Sequence, residues 1–117
     1  MSMNMWRNAR EVVKVDAGEC VFGQGDPGDV MYAVVEGRVD IALDGKFVES
    51  VGEGGIFGEL ALVEDGPRNA TATAALASRL ARVDREHFIF LVHEHPTFAL
   101  QVMSVLAARL RRANARA

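Results

Sequence analysis

The chain has 117 residues, half of them hydrophobic and a quarter charged, with a formal net charge of −3. That suits one soluble, folded domain with a single core and excludes a disordered chain. All 16 acidic residues precede residue 97, so the acidic body argues against a nucleic-acid-binding surface there, and no apolar stretch approaches the roughly 20 residues that span a bilayer.

Residues 1–11 are expected as an N-terminal extension and 12–117 as a single domain. The opening MSMNMWRNAREVV has no apolar core of signal-peptide length, so a cytoplasmic setting is expected. Val12, Val13 and Val15 form a first short strand, Asp16 to Glu19 a turn, and Cys20, Val21 and Phe22 a second strand. Cys20, the single cysteine, is expected as a small buried hydrophobe. Gly23 to Asp29 is dense in turn formers and reads as a loop. Val30 to Val35 is a strand by its β-branched and aromatic content, and Glu36-Gly37 breaks it.

Clean alternation follows: Val39, Ile41 and Leu43 face one way, Arg38, Asp40, Ala42 and Asp44 the other. Asp44-Gly45 is a favoured two-residue hairpin turn, since both residues tolerate positive φ, and Phe47, Val48 and Val51 return. Ala70 to Ala75 and Arg79 to Val83 are further strands, the latter alternating Leu80 and Arg82 against Ala81 and Val83. After Asp84 the period becomes helical through Phe88, Leu91 and Val92, until Pro96 stops that helix. Phe98, Val102, Val105, Leu106 and Leu110 then recur at the spacing of a second helix. Short strands followed by two helices predict a mainly β fold, a β-roll or jelly roll with C-terminal helices.

The segment Gly52 to Thr71 departs from this pattern. Its glycines permit sharp turns and close approach. Glu59 to Val63 is long enough for about one helical turn, which would present unsatisfied N–H groups to an anion. Arg68 enters the next strand amid Ala70, Ala72 and Ala74, too small to fill the space around it. A guanidinium so placed needs an anionic partner, and its planar fork suits a phosphate. The residues alone leave open an internal salt bridge to Glu59, Glu64 or Asp65.

The run Phe57-Gly58-Glu59-Leu60-Ala61-Leu62 with Pro67-Arg68-Asn69-Ala70-Thr71 closely resembles the phosphate-binding cassette of cyclic-nucleotide-binding domains. Such domains occur in regulatory subunits of cAMP-dependent protein kinase, in the catabolite activator family and in cyclic-nucleotide-gated channels. Gly18-Glu19, Gly25-Asp26 to Tyr32, and Glu36-Gly37 extend the resemblance over roughly residues 12–114. It implies an eight-stranded roll (12–84), a short cassette helix and two C-terminal helices (85–117). It also implies that Glu59 accepts from the ribose 2′-hydroxyl and Arg68 pairs with the cyclic phosphate. Backbone N–H groups of Gly58, Leu60 and Ala61 would surround sugar and phosphate, and that of Asn69 would reach the phosphate; Phe57, Ala70 and Thr71 complete the ligand-binding set. Family members with Ala after the arginine tend to favour cAMP and those with Thr cGMP; Asn69 is neither, and cAMP is the expected ligand, with cGMP the other choice. In relatives the last helix moves and covers the base, which makes Leu106, Arg109 and Leu110 lid candidates. The same helix could pair with its copy in a homodimer, or an unknown effector protein could be the partner.

An enzyme is not expected, and neither a cofactor nor a metal is implied. His87, His93 and His95 fall in or beside the first helix with no strand-borne ligand set, and no Gly-x-Ser-x-Gly or lysine-containing P-loop occurs. Two other readings compete: a roll that lost its ligand and serves for docking, and the sensor half of a transcription regulator. The latter's helix-turn-helix has no room before Ala117, and Arg109, Arg111, Arg112 and Arg116 are too few to argue DNA contact.

Overall fold

The structure, a computed structural model, describes residues 6, 9, 11–64 and 66–116; most of the 1–11 extension and Asp65 lie outside them. The chain forms two compact units, Met1–Asp84 and Arg85–Ala117.

The first unit carries eight strands: β1 (Val12–Val15), β2 (Cys20–Phe22), β3 (Val30–Glu36), β4 (Val39–Leu43), β5 (Lys46–Val51), β6 (Ile56–Phe57), β7 (Thr71–Ala74) and β8 (Ser78–Asp84). One four-stranded sheet runs β1-β8-β3-β6, the other β2-β7-β4-β5, with antiparallel pairing. Val15, Val34, Phe57 and Leu80 from the first sheet meet Val39, Val51, Ala72 and Ala74 from the second in one buried cluster. Period-two alternation delivers these residues to the same interior. At the β4–β5 turn Asp44 (φ 52) and Gly45 (φ 79) both adopt positive φ, as the hairpin requires.

In strand β8 Leu80 points into the cluster, while Ala81 and Val83, paired with Ala33 and Met31, are also fully buried on the other face. Two expectations need correction. Cys20 is exposed, because β2 is an edge strand bonded only through β7. Finally, β6 lies within the Gly-rich stretch, where no strand was expected.

In the second unit α2 (Arg85–Glu94) and α3 (Thr97–Arg116) meet through the Phe88 and Phe98 rings, 5.4 Å apart. Pro96, which has no N–H, separates them, and the His95 amide donates back to Leu91 O at 2.7 Å. Phe98 and Val102 are buried and Val105 and Leu106 half-buried, but Leu110 is 62% exposed and drops out of the expected stripe. Among the described residues no helix is long and apolar enough to cross a membrane.

Candidate functional site

The site is built around Arg68, just before β7. Its backbone is fixed first. The Arg68 amide donates to Asp26 O (2.7 Å) and its carbonyl accepts from the Gly25 amide (2.8 Å), so the β2–β3 loop is stitched to this residue. The loop is closed on itself by Asp26, whose carboxylate accepts from the Gly23 amide at 2.8 Å, an arrangement typical of Asp in turns. One residue on, the Gln24 amide donates to the Thr71 hydroxyl (2.9 Å), and the Gln24 side chain clasps Asp44 through two bonds of 2.9 Å. These ties leave the arginine little backbone freedom.

The side chain then runs inward and is 8% exposed. Nη1 donates to Gly58 O (3.2 Å) and Nη2 to Val30 O (2.8 Å), while the buried Nε has no partner. The Phe22 ring centroid lies 4.1 Å from Cζ. Among the described residues no ion pair within 4.0 Å involves Arg68, so the internal salt bridges to Glu59 and Glu64 do not form; Asp65 lies outside those residues. Burial pulls the guanidinium below its ordinary pKa, and the charges of Tyr32, Asp29, Asp26 and Glu59 partly restore it.

Two glycines make the room. A Cβ at Gly28 would fall 2.1 Å from Arg68 Nε and 2.4 Å from Cζ. Its φ is outside the left-handed region, so no turn demands glycine here; only the guanidinium does. Gly58, at φ 76, needs glycine twice over, because a Cβ there would also meet Nη1 at 2.9 Å and Phe22 at 3.3 Å. The expected setting of Arg68 is therefore corrected: Ala72 and Ala74 face the inter-sheet core, and glycines and aromatic rings line the arginine.

Beside it, Gly58 leads into the four-residue helix α1 (Leu60–Val63), the single turn expected. Glu59 stands at its N-cap position, only 4% exposed, with no side-chain bond to the helix amides. Its charge is among those that act on Arg68. The Ala61 amide donates to Gly58 O at 3.3 Å, a long bond. Phe57 is buried in the core beneath, stacked on Tyr32; Leu60, Ala61, Ala70 and Thr71 are half-buried and Asn69 is exposed. In the second unit Leu106 and Arg109 are half-buried on α3.

Phe22, Gly28, Val30 and Tyr32 escaped the sequence reading as site residues. The one available signal was Gly28 in a loop already rich in turn formers, where it could not be told from the rest. Chemically, the site offers a buried guanidinium, held by two backbone carbonyls, within the electrostatic reach of a buried carboxylate. Such a combination suits a ligand with an anionic group and a neighbouring hydroxyl. Among the described residues no group of three His, Cys, Asp or Glu side chains is arranged to hold a metal ion.

The family model described as cyclic nucleotide-binding domain matches residues 12–95. A CRP-like cAMP-activated global transcriptional regulator of Mycobacterium tuberculosis is 36% identical over 102 residues, covering 83% of this chain and 46% of the regulator. The chain thus spans about half the length of that curated relative. Among solved structures, Thermus thermophilus catabolite activator protein superposes with TM-score 0.79 at 31% identity, over 91% of this chain and 52% of that one. A chain described with a cyclic-GMP-dependent signalling pathway of bacterial phytopathogenesis gives 0.71 at 30% identity, over 85% and 82%.

Proposed function

The chain belongs to the cyclic nucleotide-binding domain family, and on that premise we propose that it senses cAMP, with Arg68 taking the cyclic phosphate and Glu59 the ribose 2′-hydroxyl. The observation that carries this reading is a nine-tenths buried guanidinium that forms no ion pair among the described residues and keeps an unpartnered Nε. A buried cation that no carboxylate contacts directly costs stability, and a bound phosphate would answer that charge at contact distance. The amides of Gly58, Leu60, Ala61 and Asn69 add donors around the phosphate, with Phe57, Ala70 and Thr71 shaping the cradle. Thr71 also anchors the β2–β3 loop through Gln24.

The choice of cAMP leans on the Mycobacterium tuberculosis relative, which is cAMP-activated by its name; the phytopathogenesis chain keeps cGMP as the competing ligand. The site is read as a cytoplasmic sensor and not as a catalyst. Leu106, Arg109 and Leu110 on α3 are the proposed responders to the bound base, and a second copy or an effector protein the proposed downstream partner. Calorimetric titration of the purified chain with cAMP and cGMP tests the core of this. Saturable binding of one mole of cAMP per chain, tighter than cGMP, is expected; heat indistinguishable from dilution with both nucleotides refutes it and leaves a docking module.

A further inference from the structure

Two neutral carbonyls, Gly58 O and Val30 O, hold the Nη atoms of Arg68, and Nε donates to nothing. Neutral acceptors are a thin substitute for a carboxylate around a desolvated cation. An aromatic face meets the charge as well. The Phe22 ring lies 4.1 Å from Cζ, well inside the roughly 6 Å over which a ring's negative face attracts a cation. Tyr32, at 6.0 Å, is at the edge of that range.

Phe22 is itself held in place. Its ring leans on Tyr32 (6.0 Å) and Phe57 (5.9 Å), and those two stack on each other at 5.3 Å and 15°. Gly58, by lacking a Cβ, lets both the ring and Nη1 approach its backbone. Ring, guanidinium and glycine therefore form one layered unit. A leucine at position 22 would cover similar apolar surface but would offer no quadrupole to the charge.

We infer that Phe22 is a positioning residue of the phosphate grip: its π face holds the Arg68 guanidinium in orientation before the ligand arrives. The inference rests on the reading of Arg68 as the phosphate-binding group. It is independent of which purine binds.

The test uses the full chain with Phe22→Leu, Phe22→Met and Phe22→Tyr, each checked for folding by its amide fingerprint in NMR spectra. In the ligand-free chain the Arg68 Nε–H resonance is expected to carry a ring-current shift that F22Y keeps and that F22L and F22M lose. The Kd for cAMP is expected to rise about three- to thirtyfold in F22L and F22M, and to stay within about twofold in F22Y. A folded F22L or F22M with wild-type affinity and an unmoved Nε–H resonance overturns the inference, as does an F22Y that fails like F22L. Should the wild-type chain take neither cAMP nor cGMP, the nucleotide reading falls by itself. The Nε–H resonance then still decides whether Phe22 orients Arg68.

Discussion

Gly28→Ala separates binding from folding more sharply than removal of the arginine itself. The added methyl would land 2.1 Å from Arg68 Nε, 2.4 Å from Cζ and 2.7 Å from Nη2, so one side must move. Gly28 sits in a loop bonded to Arg68 through the neighbouring Gly25 and Asp26, whereas the guanidinium is the far end of a flexible side chain; the guanidinium gives way. Its displacement breaks the bonds to Gly58 O and Val30 O, at about 0.5–1.5 kcal/mol each. Two effects offset that loss. The backbone of Gly28 is one that alanine adopts without left-handed strain, a gain of about 0.4–1 kcal/mol, and the arginine returns to water. The net change should lie within about 2 kcal/mol, or roughly 8 °C in Tm for a domain of this size. Affinity should fall far more. Losing a buried charge pair with the phosphate costs about 2–5 kcal/mol, a factor of roughly thirty to a few thousand in Kd. Calorimetric titration with cAMP alongside thermal unfolding reads both. A folded G28A that binds cAMP like the wild type refutes the reasoning.

Gly25→Ala should give the opposite signature. At φ 93, with nothing within 4 Å of its Cβ, it loses about 1–2 kcal/mol of stability to backbone strain while cAMP affinity changes less than about threefold. Glu59→Gln should weaken cAMP binding about ten- to a hundredfold, whereas 2′-deoxy-cAMP should bind wild type and variant alike; equal losses for both nucleotides would remove the 2′-hydroxyl role. Hydrogen exchange over residues 97–114 should slow when cAMP is added, because a ligand shifts a helix only through differential affinity for its states. Identical protection with and without nucleotide would take Leu106, Arg109 and Leu110 out of the response.

The sheet architecture was legible wherever local chemistry decided it. Asp44-Gly45 declared its hairpin because positive φ is cheap at both residues, and Val39 announced its inward face by alternation. What failed depended on partners distant in the chain. Cys20 looked buried in an apolar run, but a strand's position at a sheet edge is set by its neighbours. Arg68 and Glu59 stood out in the sequence because their types and spacing resembled a known cassette. The surroundings of Arg68 did not: Val30 is 38 positions away from it, and Phe22 and Gly28 are also remote along the chain. Nearby alanines suggested a small-residue nook, yet Ala72 and Ala74 point into the core between the sheets.

A crystal structure of the chain with cAMP examines the central claim most directly. The account predicts an Arg68 nitrogen within hydrogen-bond distance of a phosphate oxygen, with the Glu59 carboxylate accepting from the ribose hydroxyl. Nucleotide bound elsewhere, with Arg68 turned onto Asp26, Asp29 or Glu59, would contradict it.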